Sequence, residues 1–211
     1  MSEVWDGVYQ SDNTFFGEEA SSFATLCFNH MKSNDVKSVL EIGAGHGRDT
    51  MFLASNGLTV EALDYSSRGI EIINKKAIEK KLPVKSQLFD VKKPFPFQDT
   101  HFDATYSHML LNMRFSRAEL HSIFSEISRV LKPNGLNYFS VRNHNDQFYG
   151  AGVEVEEGIY DINGSEVRFF SEKEILDLIN RESFTMVWMK EEYEEPVTLY
   201  LVASIKLEKN Q

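Results

Sequence analysis

Three glycines at alternate positions, Gly43, Gly45 and Gly47, follow the apolar run Val39-Leu40-Glu41-Ile42 and lead into Arg48-Asp49-Thr50. Glycine has no Cβ, so such a stretch turns tightly and lets backbone come close to a ligand. A helix opening directly after it aims its unsatisfied N–H groups at that ligand. The pattern is that of a nucleoside-binding loop between a strand and a helix. Two acids extend it. Asp64 follows Gly43 by 21 residues and ends the next apolar run. A carboxylate there can accept from both hydroxyls of a ribose, each bond contributing about 1.5–3 kcal/mol. Asp90 ends the third run, where it can accept from an adenine amino group. Asp64 alone also reads as a plain neighbour of a helix N-cap. Three strand ends in step favour the ligand.

The glycine spacing narrows the ligand. A dinucleotide fingerprint runs G-x-G-x-x-G and holds a pyrophosphate at its helix. Here Arg48 stands where the distal glycine is wanted, so the loop fits a smaller ligand without pyrophosphate.

The elements that carry these residues can be read in order. Residues 1–17 hold Trp5, Tyr9, Phe15 and Phe16 without periodicity, either as a pocket-closing cover or as surface anchors. Ala20, Phe23, Ala24, Cys27, Phe28 and Met31 form a helical stripe over about 18–32. Strands are expected at 36–42, 58–63, 84–89 and 102–108, with helices at 46–56 and 66–81. The loop 92–97 cannot be regular, because Pro94 and Pro96 lack backbone donors. Ser116-Arg117-Ala118-Glu119 is a capping box, and Leu120, Ile123, Phe124, Ile127, Val130 and Leu131 give its helix one apolar face. Lys132-Pro133-Asn134-Gly135 then turns into a strand at 136–141.

From 143 to 165 the pattern lapses. Asn163-Gly164 signals a type I′ hairpin, and 143–170 is expected to be a lid-like insertion. Ser171-Glu172-Lys173-Glu174 is a second capping box, and strands close the chain at 184–189 and 197–206. Their connection is too short for a parallel crossover, so they should pair antiparallel. Strands alternating with helices mean an α/β fold, a mostly parallel sheet covered on both faces. Ligands in such sheets bind outside the carboxyl ends of the strands. The organisation expected is one domain over 1–211, with a cover at 1–32.

Composition bounds the function. The chain has 211 residues, 42% hydrophobic and 26% charged, with net charge −10. Acidity argues against non-specific nucleic-acid binding, which needs basic surface. Lys75, Lys76, Lys80 and Lys81 read as a solvated helix face. No apolar run approaches the roughly 20 residues that cross a bilayer, and Met1 to Asp6 lacks a signal-peptide pattern. A cytoplasmic protein without membrane or nucleic-acid partners, a monomer or homodimer, is the expectation. Cys27, the single cysteine, reads as a buried thiol on its stripe rather than a nucleophile. No H-E-x-x-H, Cys–His pairing or G-x-S-x-G occurs, so neither a metal nor a serine nucleophile is expected.

The motifs together resemble the class I S-adenosylmethionine-dependent methyltransferases. Glu41-Ile42-Gly43-Ala44-Gly45-His46-Gly47 is similar to their first motif, Asp64 to their ribose-binding acid, and Asp90-Val91 to their adenine-contacting motif. Phe102 to Ser107 resembles the fourth-strand motif, and Leu131 to Gly135 the turn before strand five. Gly47-Arg48-Asp49-Thr50 and Arg168-Phe169-Phe170-Ser171 resemble small-molecule members, including the tellurite-resistance-like group.

The resemblance implies a seven-stranded Rossmann-like sheet in the order 3-2-1-4-5-7-6, with S-adenosylmethionine as cofactor. It implies transfer of the sulfonium methyl to a small-molecule acceptor through O, N, S or a metalloid, leaving S-adenosylhomocysteine. Glu41, Gly43, Ala44, Gly45, Gly47, Arg48, Asp64, Tyr65, Asp90, Val91 and Ser107 are then the candidate cofactor residues.

The sulfonium already activates the methyl, so the protein mainly aligns an in-line displacement. His108 is the candidate base, should the acceptor need to lose a proton. The plainer reading makes it a pocket-shaping residue. Tyr9, Asn112, Arg142 and His144 are candidate substrate residues. Arg114, Arg142 and Arg168 could steer an anionic acceptor, against the plainer reading of solvated or structural arginines. Ser107-His108-Met109-Leu110 replaces the asparagine-proline-proline-tyrosine signature of amino-group methylation, which weakens a DNA or protein-glutamine substrate. The rivals are a non-catalytic S-adenosylmethionine-binding module and a nicotinamide-dependent oxidoreductase.

Overall fold

The computed structural model describes residues 2–11 and 17–208. Phe15 and Phe16 lie outside the described residues. In chain order the helices are α1 (Ser2–Ser11), α2 (Ser22–Ser33), α3 (Arg48–Ser55), α4 (Ser67–Lys80), α5 (Arg117–Val130) and α6 (Glu172–Arg181). The strands are β1 (Ser38–Ile42), β2 (Thr59–Asp64), β3 (Val84–Leu88), β4 (Phe102–His108), β5 (Leu131–Arg142), β6 (Val153–Glu156), β7 (Ile159–Ile162), β8 (Ser165–Arg168), β9 (Phe184–Glu194) and β10 (Val197–Lys206). A short 3-10 turn, Leu110–Asn112, follows β4.

The main sheet has seven strands in the order β3-β2-β1-β4-β5-β10-β9. Counted along this sheet alone, that is the expected 3-2-1-4-5-7-6. β1 pairs parallel with β2 and β4, whereas β10 is antiparallel to both β5 and β9. The chain packs as two compact units, 1–96 with 102–106, and 97–101 with 107–211.

In the first unit, local chemistry sets the element ends. β1 opens at Ser38, two residues later than the apolar run suggests. The Asp103 carboxylate accepts the N–H groups of Lys37 and Ser38 at 3.0 and 2.8 Å and the Ser38 hydroxyl at 2.9 Å. α3 starts at Arg48 rather than His46, because its N-cap Gly47 sits at φ +83. That left-handed region is open to glycine and costly to most residues. Residues 2–11 correct the expectation of an aperiodic start: they form the helix α1. Ala44, Met51, Ala62, Ile73 and Ala77 build a core cluster beneath the glycine loop.

In the second unit, both capping boxes form as expected, Ser116 with Glu119 and Ser171 with Glu174. The edge-on rings of Phe124 and Phe139, 5.3 Å apart, sit in its core. The pairing of β5 with β10 spans Leu136 to Arg142, near the expected stretch, although the strand reaches back to Leu131. The lapse at 143–165 proves to hold structure, because β6, β7 and β8 form a separate antiparallel sheet. Asn163 and Gly164 take φ of +55 and +86, as a type I′ turn requires. β6, with all four residues exposed, carried no burial pattern to read.

Candidate cofactor site and reaction-side residues

In the first unit the glycine loop leaves β1 with all three glycines at positive φ, +76, +58 and +83. The N–H groups of Gly43 and Ala44 both bond the Leu63 carbonyl, at 2.8 and 3.1 Å. That ties the loop to the end of β2. Asp64 follows and is buried; one carboxylate oxygen accepts the Gly45 N–H and the other the Ser66 N–H, each at 2.8 Å. Burial pushes its carboxyl above the usual range, against the pull of N–H groups on Ser66, Gly45 and Tyr65. A carboxylate offers about four acceptor sites, so capacity for a hydroxyl donor remains.

The glycines answer to the protein's own packing as well as to a ligand. A Cβ on Gly45 would stand 2.7 Å from the Tyr9 hydroxyl, and one on Gly47 would stand 2.6 Å from Ile73. On α4, a Cβ at Gly69 would run into the Gly45 carbonyl oxygen. The loop is thus a close fit between α1 and α4.

The other cofactor candidates of this unit fall as follows. Glu41 is buried and accepts the Thr50 hydroxyl at 2.5 Å. Burial first, then Asp49, pushes its carboxyl well above the ordinary range. Ala44 gives its methyl to the core, so a ligand would meet only its backbone. Arg48 lies with Nε 3.3 Å from Asp49 Oδ1. Tyr65 is partly buried, its hydroxyl pushed up to about 12 by burial and then by Asp64. Asp90 is exposed and accepts the Lys92 N–H at 3.1 Å, while Val91 is buried.

Tyr9 is buried; its ring stands 5.8 Å from that of His46, and burial pushes its hydroxyl up. The stretch 1–17 gave no signal for Asp6, which the structure brings to the start of α4. It accepts the Ser66 hydroxyl at 2.6 Å and the Arg68 N–H at 3.2 Å, at the start of α4. Those bonds hold its carboxyl below the usual range, Ser66 first.

The second unit carries the remaining candidates. Ser107 is buried. His108 Nδ1 lies 2.7 Å from Ser140 Oγ, and its Nε2 lies 3.3 Å from Glu194 Oε2. Ser140 Oγ also accepts the Met109 N–H at 2.9 Å, leaving its own hydrogen for Nδ1. Glu194 faces Nε2, a contact that is an ion pair only when the ring is protonated.

Asn112 is buried, and its carbonyl accepts the Arg142 N–H at 2.7 Å. Arg142 forks onto Asp146 at 3.0 and 2.7 Å and lies over the rings of Phe148 and Phe169. Asp146 is buried and also accepts the N–H groups of Phe148 and Thr198. His144 is exposed and stacks on Tyr149, with ring centroids 4.1 Å apart. Arg114 pairs with Glu166, and buried Arg168 donates to the Phe115 carbonyl at 3.1 Å. Among the described residues no group of three His, Cys, Asp or Glu side chains is placed to hold a metal ion. No helix among them is long and apolar enough to cross a membrane.

The sheet order, with the glycine loop after β1 and the acid ending β2, makes a Rossmann-like seven-stranded fold of the kind that solved S-adenosylmethionine-dependent methyltransferases share. Residues 39–135 match the family model described as a methyltransferase domain. A curated relative, an uncharacterized methyltransferase of Synechocystis, is 31% identical over 122 residues, covering 57% of this chain and 53% of the relative. The matched stretch thus spans about half the length of that relative.

Solved structures share the fold. A SAM-dependent methyltransferase of Methanosarcina mazei aligns with TM-score 0.73 and 22% identity over 82% of this chain and 94% of its own. The 1,6-didemethyltoxoflavin-N1-methyltransferase of Burkholderia thailandensis, solved with bound 1,6-didemethyltoxoflavin and S-adenosylhomocysteine, aligns with TM-score 0.77 and 18% identity over 98% of this chain and 87% of its own.

Proposed function

We propose that the chain is an S-adenosylmethionine-dependent methyltransferase acting on a small-molecule acceptor. One observation carries the reading. The Asp64 carboxylate is buried at the end of β2, braced by backbone N–H groups and bonded directly to the glycine loop. Held this way, the carboxylate is fixed in place and keeps acceptor capacity for a donor-rich ligand such as a ribose. The family match over 39–135 supports the same reading.

Within it, Asp64 takes the ribose hydroxyls, Asp90 and Tyr65 flank the adenine, and Gly43, Gly45 and Gly47 admit the nucleoside by their lack of side chains. Glu41 shapes the loop through Thr50 rather than acting as an open anion. The cofactor supplies an activated methyl, so the protein's task is alignment and exclusion of water. His108 acts as base only through a ring nitrogen that carries no proton; otherwise it shapes the acceptor side. α1 serves as part of the cover, and the stretch 143–170, which holds the β6–β8 sheet, as a lid-like insertion.

Calorimetry with S-adenosylhomocysteine, and with NADH in parallel, tests the proposal. Binding of the first alone is expected; binding of neither, or of NADH, overturns it. A second reading, a cofactor-binding module without transfer, draws on the bond between His108 Nδ1 and Ser140 Oγ, which occupies one ring nitrogen. It would bind S-adenosylhomocysteine yet transfer no labelled methyl across a broad set of small-molecule acceptors.

A further inference from the structure

Asp49 stands in the first turn of α3, two residues after Gly47, and is buried. One of its oxygens accepts the Ser21 N–H at 2.9 Å. The other accepts the Ser21 hydroxyl at 2.8 Å and the Tyr106 hydroxyl at 2.7 Å. Ser21 is also the N-cap of α2, accepting the Ala24 N–H at 2.9 Å. One carboxylate therefore joins the starts of α2 and α3 to the buried tyrosine of β4. The next residue, Thr50, fastens α3 to Glu41 on β1.

A carboxylate in a first helical turn gains from the helix dipole, but that gain needs neither burial nor partners elsewhere. Three bonds from two other elements exceed what a helix start asks for. They act on the same short stretch that Tyr9 and Ile73 press at Gly45 and Gly47. A loop held on every side loses little freedom when a ligand arrives, and that raises affinity without any contact to the ligand.

We propose that Asp49 is a positioning residue for the nucleoside site: through Ser21 and Tyr106 it holds the glycine loop in its binding shape. This rests on the proposed cofactor reading. The tests are Asp49→Asn and Tyr106→Phe in the full chain. The asparagine keeps the size but turns an NH2 group toward the hydroxyl and N–H donors, and the phenylalanine removes a single donor. Calorimetry with S-adenosylhomocysteine, melting temperature, and hydrogen exchange of residues 43–48 without ligand are measured for each.

The expected result for Asp49→Asn is an affinity loss of about 10-fold, the worth of one charge-assisted bond. Faster exchange of the loop amides without ligand should accompany it. Tyr106→Phe should follow in the same direction with smaller size, and it stands in where the asparagine variant does not fold. A lowered melting temperature with wild-type affinity and wild-type loop exchange overturns the proposal. If the wild type binds no S-adenosylhomocysteine, the proposed function fails, and loop exchange alone decides the role of Asp49.

Discussion

The Asp64 carboxylate accepts the Gly45 N–H at 2.8 Å, so the residue that ends β2 holds the loop that ends β1. One side chain thereby serves both the loop's shape and, under the proposed function, its ligand. Asp64→Ala should weaken S-adenosylhomocysteine binding about 10-fold or more, as one or two charge-assisted bonds go. Calorimetry checks this, and unchanged affinity would remove Asp64 from the site.

Glu41 makes stability depend on pH. Its carboxyl is raised above the ordinary glutamate value of 4.5, so the folded chain holds a proton that the unfolded chain has released. Its stabilising share is whole below that value and is lost as pH rises through the folded one. Glu41→Gln cannot ionise and keeps an acceptor for Thr50. The melting temperature of this variant, relative to wild type, should be higher at pH 8 than at pH 4.5. A difference that does not change with pH would mean that Glu41 is ionised throughout.

Gly45 and Tyr9 should show coupling. Gly45→Ala places a Cβ against the Tyr9 hydroxyl at φ +58, adding a clash to backbone strain. A loss of about 1–3 kcal/mol is expected in denaturant unfolding. Adding Tyr9→Phe removes the obstructing oxygen and should recover part of the loss. Strict additivity of the two changes would show that α1 does not rest on the loop in solution.

His108→Ala should lower turnover by at least about 10-fold while cofactor affinity changes little. Steady-state kinetics beside calorimetry separates the two. Equal losses in both would make His108 a structural residue, held by Ser140 and Glu194 for packing alone.

Much of this architecture was legible in advance. Buried strands leave apolar runs, and capping boxes and the Asn163-Gly164 turn are local chemistry, so Ser116, Ser171 and the β7–β8 hairpin stood where expected. The glycine loop and Asp64 were legible because their spacing follows the alternation of strand and helix. Asp49, Ser21 and Tyr106 were not, since they meet across 28 and 57 residues of chain. Asp6 lay in a stretch with no periodicity, and its partner Ser66 is 60 residues away. Arg142 read either as a steering cation or as a structural arginine, and its partner Asp146 became visible only in the fold. Single residues whose roles depend on long-range meetings leave no local trace.

Cys27 lies on α2, buried, with its thiol pushed well above the usual range by burial and then by Asp49. A thiol reagent can reach it only when α2 lifts off its bed. The chain thus carries a native reporter, chemically silent at rest, for any breathing of the helix that Ser21 anchors.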